Sequence, residues 1–306
     1  MTPFFVLIGI ISYTIISLID APNVLINYRF ARALSASLCG LILAISGCFL
    51  QSSLRNPLVD HYILGIGSGA LLFTYLSILI TNRYSLTSAN TMAVIGGLIA
   101  LALTISIAEK LSGSDVAYIL SGISVTTLFS GLSMFSSHYV VTRYRYASVL
   151  MTGSFVIARK ELMPPIILAT LITVVGYLML AKRLNVIILG DEYAKQLGVN
   201  PVRTRTITSI IAGISSSIVI SIYGLIGFVG LISPHMARAI LKTSDNRLVI
   251  PLAATIGALL LYFTDLLSRN IMAPVWGEVP SGSIVSLIGA PFFIILLLTR
   301  FTRRVT

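Results

Sequence analysis

The sequence predicts an all-α integral membrane protein of about ten transmembrane helices, forming a single domain over residues 1–306. Of its 306 residues, 56% are hydrophobic and only 10% are charged, and the mean hydropathy is +0.97. Soluble domains carry roughly a quarter charged residues, so this composition indicates that a bilayer solvates much of the surface. Apolar runs long enough to cross a membrane recur along the whole chain.

Ten such runs are predicted to be helices, because about 20 apolar residues are needed to cross about 30 Å of hydrocarbon. They lie near residues 3–19, 33–53, 63–80, 91–108, 116–136, 163–181, 206–225, 226–241, 249–267 and 283–299. The two runs between 206 and 241 merge, and Gly224, Gly227 and Gly230 are interpreted as a tight turn between two helices. The segment 145–158 is only partly apolar and is expected to form a short surface or re-entrant helix.

The distribution of basic residues predicts the orientation. If the N-terminus is inside, most of the 21 Lys and Arg residues fall in inner loops, which indicates that both termini are cytoplasmic. Arg29, Arg32 and Arg269 then lie on the outer side, and Arg29 and Arg32 share a helix face. Such residues either anchor the helices at the interface or contact an external partner.

Catalytic and energy-coupling signatures do not occur in the sequence. There is no GxxxxGK[ST] phosphate loop, no HExxH and no GxSxG, so we expect neither ATP hydrolysis by this chain nor another catalytic site. Cys39 and Cys48 lack metal or redox spacing, and the three histidines are far apart, so no metal site is predicted. The net charge of +11 is not accompanied by interleaved aromatic residues, so nucleic acid is not an expected partner.

Ionisable residues are nearly absent from the predicted spans. Asp265 is the exception, and Arg269 at i+4 is expected to pair with it locally. A chain of acidic residues or histidines for a proton relay is missing, which indicates that any transport energy comes from another subunit.

The polar loop 187–203 has an internal pattern of its own. Asp191 and Glu192 are suited to begin a short helix, Gly198 to end it, and Pro201 to begin the next helix. An apolar face outside the bilayer is predicted from Leu189, Ala194, Leu197 and Val199. A short helix of this kind fits a groove on a cytosolic partner.

Four motifs occur in order along the chain. The first, in residues 29–70, combines Ala44, Ser46 and Gly47 with Gln51, Asn56, Pro57, Leu58, Leu64, Gly65, Gly69 and Ala70. The others are LGDEYAKQLGVN (189–200), GLIGFVGLISPHMARAI (224–240) and GEVPSGSIVSLIGAPFFIILLL (277–298). Together they resemble the permease subunits of type II ABC importers for iron–siderophores, haem and cobalamin, the FecCD/BtuC-like family. His61 stands where that family often has proline.

The resemblance implies the type II ABC importer permease fold and a set of partners. These would be a second copy of the chain, two cytosolic ATP-binding-cassette subunits that hold ATP and Mg, and an extracytoplasmic binding protein, in a prokaryotic cell membrane. The chain itself would bind no cofactor and would not be an enzyme. The implied cargo is an iron–siderophore or a related large chelate, with haem and cobalamin as alternatives. From other classes, a secondary transporter and a membrane-embedded enzyme are the rivals.

The resemblance also implies roles for three groups of residues. The residues implied to dock the binding protein are Arg29, Arg32 and Arg269. The residues implied to contact the ATPase are Gly190, Asp191, Glu192, Ala194, Leu197 and Gly198. A cytoplasmic gate would be formed by Arg55, Asn56, Pro57 and Leu58, and by a second loop at Ser112, Gly113, Ser114 and Asp115. Asn56-Pro57 would in addition end the second helix, since proline cannot continue it.

Overall fold

The computed structural model describes residues 23–83, 85–111, 115–144 and 148–305. This part of the chain consists of helices and turns without a strand, which confirms the predicted all-α fold. Six of its helices are long and apolar enough to cross a membrane, and three shorter apolar helices accompany them. The predicted first helix at 3–19 lies outside the described residues.

Each of the predicted spans from 33–53 onward corresponds to one helix. The helices are α1 (Asn23–Ser53), α2 (Ile66–Thr81), α3 (Leu86–Leu111), α4 (Asp115–Arg143), α5 (Val149–Thr152), α6 (Met163–Ile188), α7 (Asp191–Gln196), α8 (Pro201–Tyr223), α9 (Val229–Leu241), α10 (Asn246–Leu267), α11 (Ala273–Trp276) and α12 (Ser281–Val305). A 3-10 turn at Lys160–Leu162 precedes α6, and a π-helical turn at Ser268–Met272 joins α10 to α11. Most spans are longer than predicted, because polar residues at their ends continue the helix.

Helix α1 lies at the centre of the bundle and packs against α6, α8, α9 and α10. Two of its glycines make this possible. A Cβ at Gly40 would overlap the backbone of Gly257 on α10, and a Cβ at Gly47 would overlap the backbone of Gly230 on α9. Small residues at such crossings let helix backbones approach closely in a membrane, where packing rather than hydrophobic burial drives association.

The predicted turn between the merged runs is present, but it is shorter than its glycines suggested. Gly224, with φ 84°, ends α8, and Phe228, with φ 64°, precedes α9. Gly230 was placed in the turn by the sequence, and this is wrong: it lies inside α9, where its backbone meets α1.

The segment before α6 is partly buried. Leu150, Phe155 and Ala158 are fully or almost fully buried. The backbone N–H of Ser154 donates to the carbonyl of Tyr223 at 2.9 Å, which attaches the segment to the end of α8. The short helix expected within residues 145–158 is present as α5, and the described part of this segment packs partly into the bundle.

Candidate functional site

The two ends of α1 carry the polar groups that the sequence singled out. The end near Arg32 is called here the Arg32 end of the bundle, and the end near Asn56 is called the Asn56 end. Between them α1 runs without a break for 31 residues. The predicted docking residues lie at the first end, and the predicted gate and ATPase-contact residues lie at the second.

A buried ion-pair network occupies the Arg32 end. Arg32 and Asp265 are each 1% exposed, and an Nη of Arg32 lies 2.7 Å from Oδ1 of Asp265. A second Nη of Arg32 lies 2.8 Å from Oε2 of Glu278, which is partly exposed. Ser281, the first residue of α12, donates to Asp265 at 3.3 Å. The network therefore joins α1, α10 and the segment that leads into α12.

This geometry changes the expected partner of Asp265. The local pairing with Arg269 is present only as a longer contact of 3.8 Å from Nε, and the main partner is Arg32, which is 233 residues away in sequence. Arg32 is buried, whereas Arg29 and Arg269 are partly exposed. Docking by these three residues stays a prediction, and burial makes Arg32 the least accessible of them.

The turn after α1 holds the predicted gate residues. Arg55 is exposed and adopts a left-handed backbone conformation with φ 53°. Asn56 is fully buried, and its Oδ1 accepts from the backbone N–H of Leu58 at 3.0 Å. Pro57 is partly buried and Leu58 is buried. The structure confirms that α1 ends just before Asn56-Pro57. Ser112, Gly113 and Ser114 lie outside the described residues, and gating by either loop stays a prediction.

The predicted short helix in the loop 187–203 is confirmed. Helix α7 begins at Asp191, follows Gly190 at φ 123°, and ends before Gly198 at φ 75°. Pro201 is the first residue of α8. The left-handed and extended glycine conformations let the chain turn sharply at both ends of a helix only six residues long.

The exposed apolar residues at α7 differ from the prediction at two positions. Leu189, Tyr193 and Leu197 are each more than half exposed, whereas Ala194 is fully buried. Ala194 therefore belongs to the side that supports α7, and its place in the predicted apolar face is wrong. Tyr193 was missed, although its spacing of four residues from Leu197 is the signal that one helix face would give.

Helix α7 is tied to the ends of α1 and α8 by charged side chains. Oδ1 of Asp191 lies 2.7 Å from an Nη of Arg205 and 3.7 Å from an Nη of Arg55. Nε of Arg205 donates to the carbonyl of Ser53 at 2.9 Å. The predicted ATPase-contact helix and the predicted gate turn are thus adjacent, a juxtaposition of segments that the sequence alone could not place together.

A cavity of about 610 Å³ lies beside this ion-pair cluster. Its lining comes from α3, α8 and the residue Leu54, and it includes Glu109 and Arg205.

Another loop at the Asn56 end is fixed by a carboxylate. Asp245 caps the N-terminus of α10 by accepting from the backbone N–H of Arg247 at 2.9 Å. Hydrogen bonds from the Arg247 side chain and backbone, and from Asn185, hold the pKa of Asp245 well below its usual range. The carboxylate therefore stays ionised and keeps α6 and α10 together here.

The sequence analysis did not predict the burial of two ionisable residues. Asp60 and His61 are each 1% exposed, in the segment between α1 and α2. Oδ1 of Asp60 accepts from the backbone N–H of Ile63 at 2.8 Å, and Nε2 of His61 lies 2.9 Å from the carbonyl of Ile226. Their burial was missed because the segment looks like a loop, whereas it folds back into the bundle.

Comparison with known proteins gives consistent results. The model of the FecCD transport family matches residues 4–299. The chain is 32% identical over 303 residues to a protein of Methanocaldococcus jannaschii named as an ABC transporter permease, covering 93% of this chain and 84% of the relative. It is 31% identical over 279 residues to IsdF of Staphylococcus aureus, named as a haem-iron transport system permease, covering 91% and 83% of the two chains.

A solved structure described as an inward-facing metal-chelate type ABC transporter is also similar. It superposes with a TM-score of 0.80 at 27% identity, over 97% of this chain and 98% of the other. The family match spans nearly the whole chain, and the fold agrees with it over nearly the same length. The chain therefore belongs to the FecCD transport family and is a multi-pass membrane permease of the ABC transporter type.

Proposed function

We propose that this chain is the permease of an ATP-driven importer for an iron–siderophore or a related large metal chelate. It works as a homodimer with two cytosolic ATP-binding-cassette subunits, which hold ATP and Mg, and with an external binding protein. The chain itself binds no cofactor. In this arrangement both termini and the Asn56 end are cytoplasmic, and the Arg32 end faces outward.

The observation that carries this proposal is the surface of α7. Tyr193 in α7 and its flanking residues Leu189 and Leu197 are exposed apolar side chains, and charged groups on either side of α7 would keep them outside the hydrocarbon. An apolar helix face exposed to water favours a protein partner. Asp191 at the start of α7 is bonded to Arg205, so a partner that moves α7 would also move the ends of α8 and α1.

The names of the relatives support the class of cargo. IsdF is named for haem iron, and the similar solved structure is described as a metal-chelate type transporter. Both kinds of cargo are large metal complexes that an external protein can deliver whole. Haem and cobalamin therefore remain alternatives within the same mechanism.

The Arg32 end supports a role in contact with the binding protein. Arg29 and Arg269 are partly exposed there, next to the buried pair of Arg32 and Asp265. We propose that Arg29 and Arg269 pair with carboxylates of the binding protein. Arg32 acts behind them by holding α1 against α10.

Uptake into liposomes tests the proposed function. The chain would be reconstituted with candidate ATP-binding-cassette and binding-protein subunits of the same organism. We expect uptake of a ferric chelate or haemin that requires ATP on the ATPase side and is unaffected by ionophores. Uptake that continues without ATP and collapses with an ionophore would instead indicate a secondary transporter and contradict the proposal.

A further inference from the structure

Two helices of the bundle begin inside the thickness of the membrane. Helix α2 has 16 residues and α9 has 13. At 1.5 Å per residue they are about 24 and 20 Å long, which is short of the roughly 30 Å of hydrocarbon. Each follows a residue with a left-handed backbone, Gly65 at φ 82° and Phe228 at φ 64°. The non-helical segments 59–65 and 224–228, called here the two breaks, are therefore expected to lie at membrane depth.

The two breaks touch each other. Nε2 of His61 lies 2.9 Å from the carbonyl of Ile226. The rings of Tyr62 and Phe228 stack, with centroids 6.1 Å apart and planes at 28°. A Cβ placed on Gly227 would be 3.2 Å from the ring of Tyr62, so only a glycine leaves the tyrosine its full space. The breaks thus form one continuous surface although they are about 165 residues apart in sequence.

This surface is unsuited to contact with lipid tails. Non-helical backbone at membrane depth is tolerated only where protein covers it or where it lines a water-filled cavity. Tyr62 is 37% exposed, so protein does not fully cover it within the chain. Its carbonyl accepts from the hydroxyl of Thr126 on α4 at 3.4 Å, and this contact is itself exposed. The exposed side of the breaks is therefore suited to face water or a second copy of the chain rather than lipid.

Two helices flank the exposed aromatic pair. Thr126 of α4 lies on one side, and the ring of Phe228 packs on the other side against Gly289 of α12, where a Cβ would overlap it. The aromatic pair offers a flat apolar face next to the Thr126 hydroxyl. Flat conjugated rings stack well on such a face.

We propose that Tyr62 and Phe228 form an aromatic shelf in the translocation path that contacts metal chelates bearing a flat conjugated ring. The shelf gives the permease a preference of its own, in addition to that of the binding protein. This inference rests on the proposed function, because it requires cargo to pass over the surface that the two breaks form. It makes Tyr62 and Phe228 cargo-contacting residues, and it leaves the energy supply to the ATPase.

Cysteine labelling tests whether the shelf lines a water-filled path. The native Cys39 and Cys48 are both buried and provide a low background. In liposomes, with or without the partner subunits, we expect Tyr62→Cys to react with a charged, water-soluble maleimide. Phe263→Cys, at a half-exposed aromatic position on α10, is the matched control and should react at least tenfold more slowly. If Tyr62→Cys reacts no faster than Phe263→Cys, the residue lies against lipid or a second copy of the chain, and the proposal of an aromatic shelf is wrong.

Uptake of two probes tests the chemistry of the cargo. Haemin has a flat conjugated macrocycle, whereas ferrioxamine B has no ring of this kind. In the assembled complex, Tyr62→Ala should reduce haemin uptake about three- to tenfold, the range of an aromatic contact. Tyr62→Phe should retain haemin uptake, because it keeps the aromatic face.

The two proposals fail in different ways. If the wild-type complex drives ATP-dependent uptake but transports only ferrioxamine B, or if Tyr62→Ala lowers the uptake of both chelates equally, ring recognition is wrong and the importer stands. If the wild-type complex moves neither chelate with ATP, the proposed function fails, while the labelling result still decides whether the breaks line water.

Discussion

The two ends of α1 both carry ion pairs, but the pairs differ in burial. At the Arg32 end, Arg32 and Asp265 are each 1% exposed and lie 2.7 Å apart. At the Asn56 end, the side chains of Asp191 and Arg55 are 36% and 45% exposed and lie 3.7 Å apart. Arg205 shares the same carboxylate at 2.7 Å, beside a cavity.

The difference in burial suggests a difference in role. Separating a buried pair leaves an uncompensated charge in the protein interior, whereas an exposed pair can exchange partners with water at little cost. The Arg32 end is therefore suited to remain closed, and the Asn56 end is suited to change shape when a partner presses on α7. The predictions below test this contrast by changing one charged group at a time.

The largest effect is expected at Asp265. Asp265→Asn leaves Arg32 buried with only Glu278 as a charged partner, and removing one member of a buried pair costs about 3–5 kcal/mol. Unfolding of the purified chain in mixed micelles would measure the loss. The double variant Arg32→Met with Asp265→Leu removes both charges and should be more stable than the single one. A single variant as stable as the wild type would mean that the Arg32–Asp265 pair does not hold α1 against α10.

A smaller effect is expected at the two partly exposed arginines of the same end. Arg29→Glu together with Arg269→Glu should slow association with the binding protein several-fold at low salt and flatten its salt dependence. Exposed pairs contribute only about 0.2–1 kcal/mol each, but they steer association. Surface plasmon resonance across a salt series measures this, and basal ATPase activity of the complex is the control. Unchanged rates and salt slope would leave these residues as interfacial anchors.

The smallest effect on stability is expected at Asp191. Asp191→Asn should change the free energy of unfolding by no more than about 1 kcal/mol, because the pairs it breaks are partly exposed. It should nevertheless raise the ATP consumed per chelate imported, since α7 is no longer held to Arg205. The neighbouring Glu192→Gln is the matched control, because Glu192 makes no salt bridge within the described part of the chain. If the two variants consume the same amount of ATP per chelate imported, Asp191 has no role in coupling ATP hydrolysis to transport.

The fold was predictable because hydrophobic length is a local property. Each apolar run from 33–53 onward became a helix, and the pattern of Asp191, Gly198 and Pro201 located α7 correctly. Its exposed face was less predictable. Ala194 is buried by contacts that form only when the helices assemble, and its apolar character gave no indication of which side it would take.

The arrangement of the candidate sites was not predictable in the same way. The pairing of Arg32 with Asp265 joins residues 233 positions apart, whereas the sequence suggested the nearer Arg269. His61 reads as a loop residue, yet it bonds to the carbonyl of Ile226 inside the bundle. Both contacts depend on how helices cross in three dimensions, and a single sequence carries no direct signal of that.

The central claim is that ATP-driven motion enters this permease through the exposed apolar face of α7. Co-purification of the ATP-binding-cassette subunit with Leu197→Asp tests it most directly, with Gln196→Asp as a control that adds the same charge to a neighbouring polar position. A carboxylate in an apolar groove should weaken the complex by about 3 kcal/mol, on the order of a hundredfold in affinity. The account predicts that Leu197→Asp loses the ATPase subunit and chelate uptake while Gln196→Asp retains both. Full binding and coupled uptake by Leu197→Asp would contradict it.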